Sequence, residues 1–180
     1  MTRRLIESTL VSMDGVVEAP WEWVGEHFDE ESREYSMAKL AHCDAFVLGR
    51  GAYEKFAGSW GQLHGDPYID TINAMPKHVV STTLRETTWN ATLLAGDPVE
   101  EIRKLKSQPG RDLIKYGTSQ LDRTLVRHGL VDEYEFLYLP VIVGKGRRLF
   151  SEVDPAEVDL RLVRTTSLKN GTIVATYVPE

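Results

Sequence analysis

Three short stretches carry residue types suited to holding phosphate. Leu48-Gly49-Arg50 sets a cation beside a glycine at the end of an apolar run, Ser81-Thr82-Thr83 offers hydroxyls, and Gly117-Thr118-Ser119-Gln120 joins a glycine to small polar residues. Glycine lets backbone approach a ligand closely, hydroxyls donate and accept without charge cost, and N–H groups at a helix start point outward at an anion. A guanidinium adds charge where such N–H groups converge. Each stretch also has a plain alternative. Arg50 pairs with Glu54 on the surface, the hydroxyls form a turn, and Gly117 opens a helix on a sheet with Thr118 or Ser119 as its cap. Ligands in open α/β sheets collect outside the carboxyl ends of strands, so three such ends imply one extended ligand with several polar groups. A dinucleotide fits that description. Hydride transfer fits with it, because the cofactor carries the chemistry and the site needs few acids or bases.

Other chemistries are poorly supplied. His27, His42, His64, His78 and His128 are scattered and match no HExxH or His/Cys ligand spacing, so no metal site is expected. Cys43 is the single cysteine, which excludes an internal disulfide, and its place before an apolar run marks a buried, inert thiol. There is neither a GxSxG elbow nor a Walker A sequence. Asp14 is the acid nearest a loop holding Trp21 and Trp23, which makes it the candidate catalytic residue, although an Asp before Gly is also ordinary turn chemistry. The two indoles either lie against the protein's own core or flank a flat ligand.

Periodicity and breakers predict the elements that must position these groups. Residues 3–12 are an apolar strand closed by Met13-Asp14-Gly15, and residues 16–26, with Pro20 and two Trp, have no period and are expected as a loop. Helical spacing predicts a helix over 30–40 with its acids on a solvated face. Residues 45–48 are a buried-type strand, Gly49 its turn, 53–60 a short helix, 58–67 a loop, 68–75 a short helix ended by Pro76, and 77–83 a third strand. A strand over 92–95 precedes Asp97-Pro98, the cap and first-turn proline of a helix whose stripe is Val99, Ile102 and Leu105. Residues 112–116 are a strand, and the helix after Gly117 carries Leu121, Leu125 and Val126 on one face until Gly129 stops it. A strand over 134–139 ends at Pro140, and a loop over 141–150 carries Lys145, Arg147 and Arg148, either as a hold for a substrate phosphate or as a solvated basic loop. Residues 158–168 and 172–178, joined through Asn170-Gly171, are a hairpin. Strands alternating with helices, then antiparallel strands, predict an α/β fold with a mixed sheet.

With 180 residues and no low-complexity tract or polar linker, one domain over 1–180 is expected. A composition that is 42% hydrophobic and 27% charged argues against disorder. A net charge of −6 supplies no basic field to attract nucleic acid or an anionic membrane. No apolar run is long enough to span a bilayer, and Glu7 interrupts the N-terminal stretch before any signal-type region, so a soluble, cytoplasmic protein is expected.

An ordered set of stretches carries a family resemblance: Ser12-Met13-Asp14-Gly15; Leu48-Gly49-Arg50 with Tyr53-Glu54; Val80-Ser81-Thr82 before Leu84; Gly117-Thr118-Ser119 with Leu121; Gly129-Leu130-Val131-Asp132-Glu133; and Pro140 with Gly144-Lys145-Gly146 and Leu149-Phe150. Over nearly the whole chain this set resembles the dihydrofolate-reductase-like family typified by the C-terminal reductase domain of bacterial riboflavin-biosynthesis deaminase-reductase proteins. The resemblance implies a three-layer α/β/α fold with a mixed, mostly parallel central sheet and a C-terminal antiparallel hairpin, NADPH as cofactor, and a homodimer. By the same resemblance Gly49 and Arg50 would meet the cofactor phosphates, Ser81, Thr82 and Thr83 the adenosine ribose or its 2′-phosphate, and Gly117, Thr118, Ser119 and Gln120 the pyrophosphate. Asp14, Trp21, Tyr53, Pro140 and Val141 would face the nicotinamide and substrate. The implied activity is NADPH-dependent reduction of a small pyrimidine- or pterin-like compound, similar to 5-amino-6-(5-phosphoribosylamino)uracil reductase. A ligand-binding relative without catalysis is the alternative. Ala52 stands where many relatives have Thr, and Thr118 where a second Gly is usual, so thinner or shifted phosphate contacts are expected. The His-x-Glu and Cys-x-x-Cys signature of the fused zinc deaminase is missing, which implies a stand-alone domain.

Overall fold

The computed structural model describes residues 2–151, 153 and 158–180. Strands β1 (Leu5–Ser12), β2 (Cys43–Gly49), β3 (Lys77–Val80), β4 (Ala91–Leu94), β5 (Asp112–Tyr116), β6 (Glu133–Leu139), β7 (Leu160–Ser167) and β8 (Ile173–Pro179) form one sheet, ordered β4-β3-β2-β5-β1-β6-β8-β7. The first six run parallel, and β8 and β7 close the sheet antiparallel. Helices α1 (Glu30–Leu40), α2 (Arg50–Ser59) and α3 (Pro67–Ala74) lie on one face, over Ile6, Phe46, Leu48 and Val79. Helices α4 (Pro98–Ser107) and α5 (Leu121–Arg127) cover the other, over Leu5, Val11, Val47 and Leu113. The expected three layers and terminal hairpin are therefore present. A parallel strand buried on both faces explains the near-continuous apolar run of β2.

Local chemistry sets the helix starts. Asp97 accepts the N–H groups of Val99 and Glu100 at 3.0 and 3.1 Å, with Pro98 in the first turn, as the sequence predicts. Asp29 and Asp66 cap α1 and α3 in the same way. Helix α2 departs from expectation. It begins at Arg50 rather than residue 53 and continues through the expected loop as a 3-10 turn over Trp60–Gln62. Phe56 and Trp60, one helical turn apart, stack at 4.5 Å and keep that stretch wound despite Gly58. The loop after β1 likewise holds two 3-10 turns, Pro20–Glu22 and Gly25–His27.

Helix α1 is docked by polar contacts as well as apolar ones. The Tyr35 hydroxyl donates to Glu135 Oε2 at 2.8 Å, and Lys39 Nζ lies 2.8 Å from both Glu133 Oε1 and Glu135 Oε2. Its acids are not all solvated, since Glu31 accepts the Lys169 N–H at 2.8 Å. The hairpin tip completes this junction: Asn170 Nδ2 donates to the His27 carbonyl at 2.7 Å and to Ser32 Oγ at 3.0 Å.

Candidate functional site

Helix α2 leaves β2 for one face of the sheet, whereas α5 follows the neighbouring β5 on the other. Chain departing in opposite directions from adjacent parallel strands leaves a crevice at their carboxyl ends. Gly49 and the Gly117 turn meet there. A Cβ at Gly49 would stand 3.4 Å from Leu121 Cβ and 3.5 Å from Ser119 Oγ, so the two stretches are in contact. Gly117 has φ of 67°, a left-handed conformation that L side chains rarely adopt, and its N–H donates to the Ser8 carbonyl at 2.9 Å. Neither Thr118 nor Ser119 caps α5 as expected. Asp122, inside the first helical turn, reaches back and accepts the Ser119 N–H. Among the described residues no acceptor takes the Thr118 or Gln120 N–H, and Ser119 Oγ is buried without a hydrogen-bond partner.

The flanking residues extend this corner in both directions. Arg50 pairs with Glu54 at 2.7 Å, as its plain alternative predicts, and also donates to Thr83 Oγ1 at 3.0 Å, which links the ends of β2 and β3. Ser81 Oγ accepts the N–H groups of Thr83 and Leu84 at 3.2 and 3.0 Å, forming a turn, and Thr82 is exposed. On the other side Thr118 Oγ1 accepts from Arg147 Nη1 at 2.9 Å. Arg147 is held for this by its backbone: its carbonyl accepts from Val17 at 2.9 Å and its N–H donates to Glu18 Oε2 at 3.0 Å. At Thr118 this chain sets a hydroxyl against a guanidinium.

Asp14 proves to be a clamp. Its carboxylate accepts the Val143 N–H at 3.0 Å, the Ser12 hydroxyl at 2.8 Å and the Gly144 N–H at 2.8 Å. These donors hold its pKa at about 2, so it is ionised at neutral pH and has no proton to give. Met13 N–H donates to the Val141 carbonyl at 2.8 Å and brings Pro140 and Val141 beside the end of β1. Trp21 is 58% exposed, with the Lys55 ammonium 5.8 Å from its ring centroid, so it lies over α2. Trp23 instead packs on Leu137, Leu139, Leu168 and Val174. Tyr53 is not brought to this mouth. It is 6% exposed and its hydroxyl accepts the Thr88 N–H at 2.7 Å, anchoring a loop beside β3.

Among the described residues no group of His, Cys, Asp and Glu is placed to hold a metal ion, and no helix is long and apolar enough to cross a membrane. Cys43 is buried, and burial pushes its thiol up to about 12, far from a reactive thiolate. A cleft of about 450 Å³ between α1 and β7, lined by Arg4, Tyr35, Lys39, Glu133, Arg164 and Thr166 among others, contains none of the predicted site residues. The sequence reading missed Asp122 and left Arg147 ambiguous. No local signal marks Arg147, because its contact with Thr118 spans 29 residues of chain.

Residues 3–174 match the RibD C-terminal domain family. The uncharacterized protein YyaP of Bacillus subtilis (strain 168) is 28% identical over 186 residues, covering 97% of this chain and 94% of YyaP. The diaminohydroxyphosphoribosylaminopyrimidine deaminase/5-amino-6-(5-phosphoribosylamino)uracil reductase of Thermotoga maritima superposes with a TM-score of 0.70 at 16% identity, over 99% of this chain and 57% of that protein. Dihydrofolate reductase from Enterococcus faecalis, complexed with NADP(H), superposes with a TM-score of 0.64 at 15% identity, over 100% of this chain and 99% of the enzyme. The shared fold is dihydrofolate-reductase-like, and the chain belongs to the RibD C-terminal domain family.

Proposed function

We propose that this chain binds NADPH along the ends of β3, β2 and β5 and reduces a small heteroaromatic, pyrimidine- or pterin-like compound. The reading rests on one observation: the Gly49–Ser119 contact at the switch point is extended by Arg50–Thr83 on one side and Thr118–Arg147 on the other. A buried hydroxyl and two N–H groups that have no partner among the described residues, flanked by two guanidinium groups, suit a chain of phosphates. Arg50 with Ser81, Thr82 and Thr83 would hold the adenosine end and its 2′-phosphate, and the Gly117 turn the pyrophosphate. Trp21, Pro140 and Val141 would wall the nicotinamide and substrate side. The dinucleotide supplies a hydride. Asp14 positions the Val143–Gly144 backbone, and the accompanying proton comes from solvent. The exposed edge strand β7, with Leu162 and Val163 outward, supports the homodimer as part of this reading, and light scattering at micromolar concentration tests it.

Titration calorimetry with NADPH and NADH tests the cofactor. Binding of NADPH, with Arg50→Ala losing about tenfold in affinity and most of the preference over NADH, is the expected result. Wild-type protein that takes up no NADPH at millimolar concentration overturns it. Asp14, engaged as a backbone clamp by three donors, favours a second reading, a non-catalytic nucleotide-binding relative. Steady NADPH oxidation with pteridines or flavin precursors excludes that reading.

A further inference from the structure

Beneath the Gly117 turn lie three ionisable side chains with no part in the proposed chemistry so far. Glu7 and Lys115 are neighbours across the β1–β5 pair, and Asp122 lies in the first turn of α5. Their exposures are 0%, 1% and 0%. Lys115 Nζ stands 2.9 Å from Asp122 Oδ1, 3.0 Å from Asp122 Oδ2 and 3.5 Å from Glu7 Oε2, and it also donates to the Gly117 carbonyl. Asp122 Oδ2 in turn accepts the Ser119 N–H. One ammonium and one carboxylate therefore hold the turn from below. The Gly117 carbonyl is drawn onto Lys115 and the Ser119 N–H onto Asp122, while the Thr118 and Gln120 N–H groups are left without an acceptor among the described residues.

Such a set is a poor source of net stability. Desolvating buried ions consumes most of what their attraction returns, and apolar residues of similar volume often serve as well or better. Glu7 illustrates this, since neither of its carboxyl oxygens has a hydrogen-bond partner and burial raises its pKa, favouring the neutral form. What the charges do supply is direction: two strong contacts at defined angles fix the conformation of a turn that an apolar core would leave looser.

We infer that Lys115 and Asp122 are positioning residues for the dinucleotide pyrophosphate, holding the Gly117–Gln120 turn in the shape that accepts it. The inference rests on the NADPH reading above.

Combining Glu7→Leu, Lys115→Met and Asp122→Leu removes the charges without orphaning one. Calorimetry with NADPH and with adenosine 2′-monophosphate, which lacks the pyrophosphate, separates positioning from general damage. The Kd for NADPH is expected to rise about tenfold, and that for adenosine 2′-monophosphate to stay within about twofold. Amide exchange at Ser119 of the unliganded protein is expected to accelerate about tenfold while β2 keeps its protection. Asp122→Ala frees the Ser119 end and also takes away the nearest partner of Lys115, so in folded protein it is expected to move the same readouts about tenfold, whereas Asp122→Asn, which keeps an acceptor for both groups, is expected to hold them within about twofold. Unchanged NADPH affinity and turn exchange in folded variants, or equal loss for both nucleotides, overturns the positioning role alone. Wild-type protein that binds neither nucleotide overturns the NADPH reading and the pyrophosphate role with it.

Discussion

Lys77 at the start of β3 and Lys115 near the end of β5 are both shut off from solvent, yet only Lys115 has carboxylates around it. Lys77 Nζ donates to the carbonyls of Ile72 and Asn73 at 2.6 and 2.8 Å, near the end of α3, and sits 4.2 Å from the centroid of the Trp89 ring. Burial brings its pKa down to about 8. Burial would lower Lys115 too, but its carboxyl neighbours, with Asp122 nearest at 2.9 and 3.0 Å, outweigh it and hold that ammonium above its usual range. An ammonium held by dipoles works as a helix cap. Held by carboxylates, it becomes a charged anchor whose geometry passes to whatever else it touches, here the Gly117 carbonyl.

Substitutions at the two lysines separate these roles. Lys115→Met alone leaves the Asp122 carboxylate buried and uncompensated, and urea denaturation is expected to show a loss of about 3–5 kcal/mol. Lys77→Met orphans only helix carbonyls and is expected to lose about 1–3 kcal/mol. Equal losses would erase the distinction. Alkaline pH sharpens it further. Lys77 has a folded pKa below its unfolded one, so the unfolded chain binds more protons and the Lys77 contribution to stability rises from about pH 8 to 10.5. Lys115 is shifted upward, so its contribution is complete below 10.5 and lost as pH rises beyond. Wild type should gain in denaturation midpoint on Lys77→Met between about pH 8 and 10.5, and lose against Lys115→Met only above 10.5.

Smaller effects are expected above the anchor. Gly117→Ala forces a side chain into the left-handed region at φ of 67° and is expected to destabilise by about 1–2 kcal/mol in thermal unfolding. The mildest case is Asp14, a carboxylate held by N–H and hydroxyl donors at the surface. Its pKa of about 2 lies below the ordinary 3.8, so its contribution is present above about pH 4 and lost as pH falls toward 2. The Tm difference between wild type and Asp14→Asn should shrink over that window.

Elements set by short-range chemistry were legible in the sequence. The helix over 30–40, the strand over 112–116, the Asp97-Pro98 start and the Asn170-Gly171 turn stand where local signals put them. Convergence of the phosphate-suited ends was legible only as a rule about parallel sheets. The particular contacts were not. Thr118 with Arg147 depends on a loop packed antiparallel to residues 16–18, and Tyr53 was drawn inward by the Thr88 N–H. Lys115 gave no warning because a strand buried on both faces has no polar alternation against which a single Lys stands out.

The Trp21 loop is tied at one foot by Asp14 to residues 143 and 144, and at the other by Asn170 to His27. Both feet are fixed by contacts outside the span, and lengthening an already closed loop costs little entropy, since closure grows only with the logarithm of length. Insertions or deletions over residues 19–26 spare Val17 and Glu18, which hold Arg147, and can therefore reshape the proposed substrate wall while the proposed nucleotide corner stays as it is. On the proposed reading, substrate range then has a place to change that is decoupled from cofactor binding.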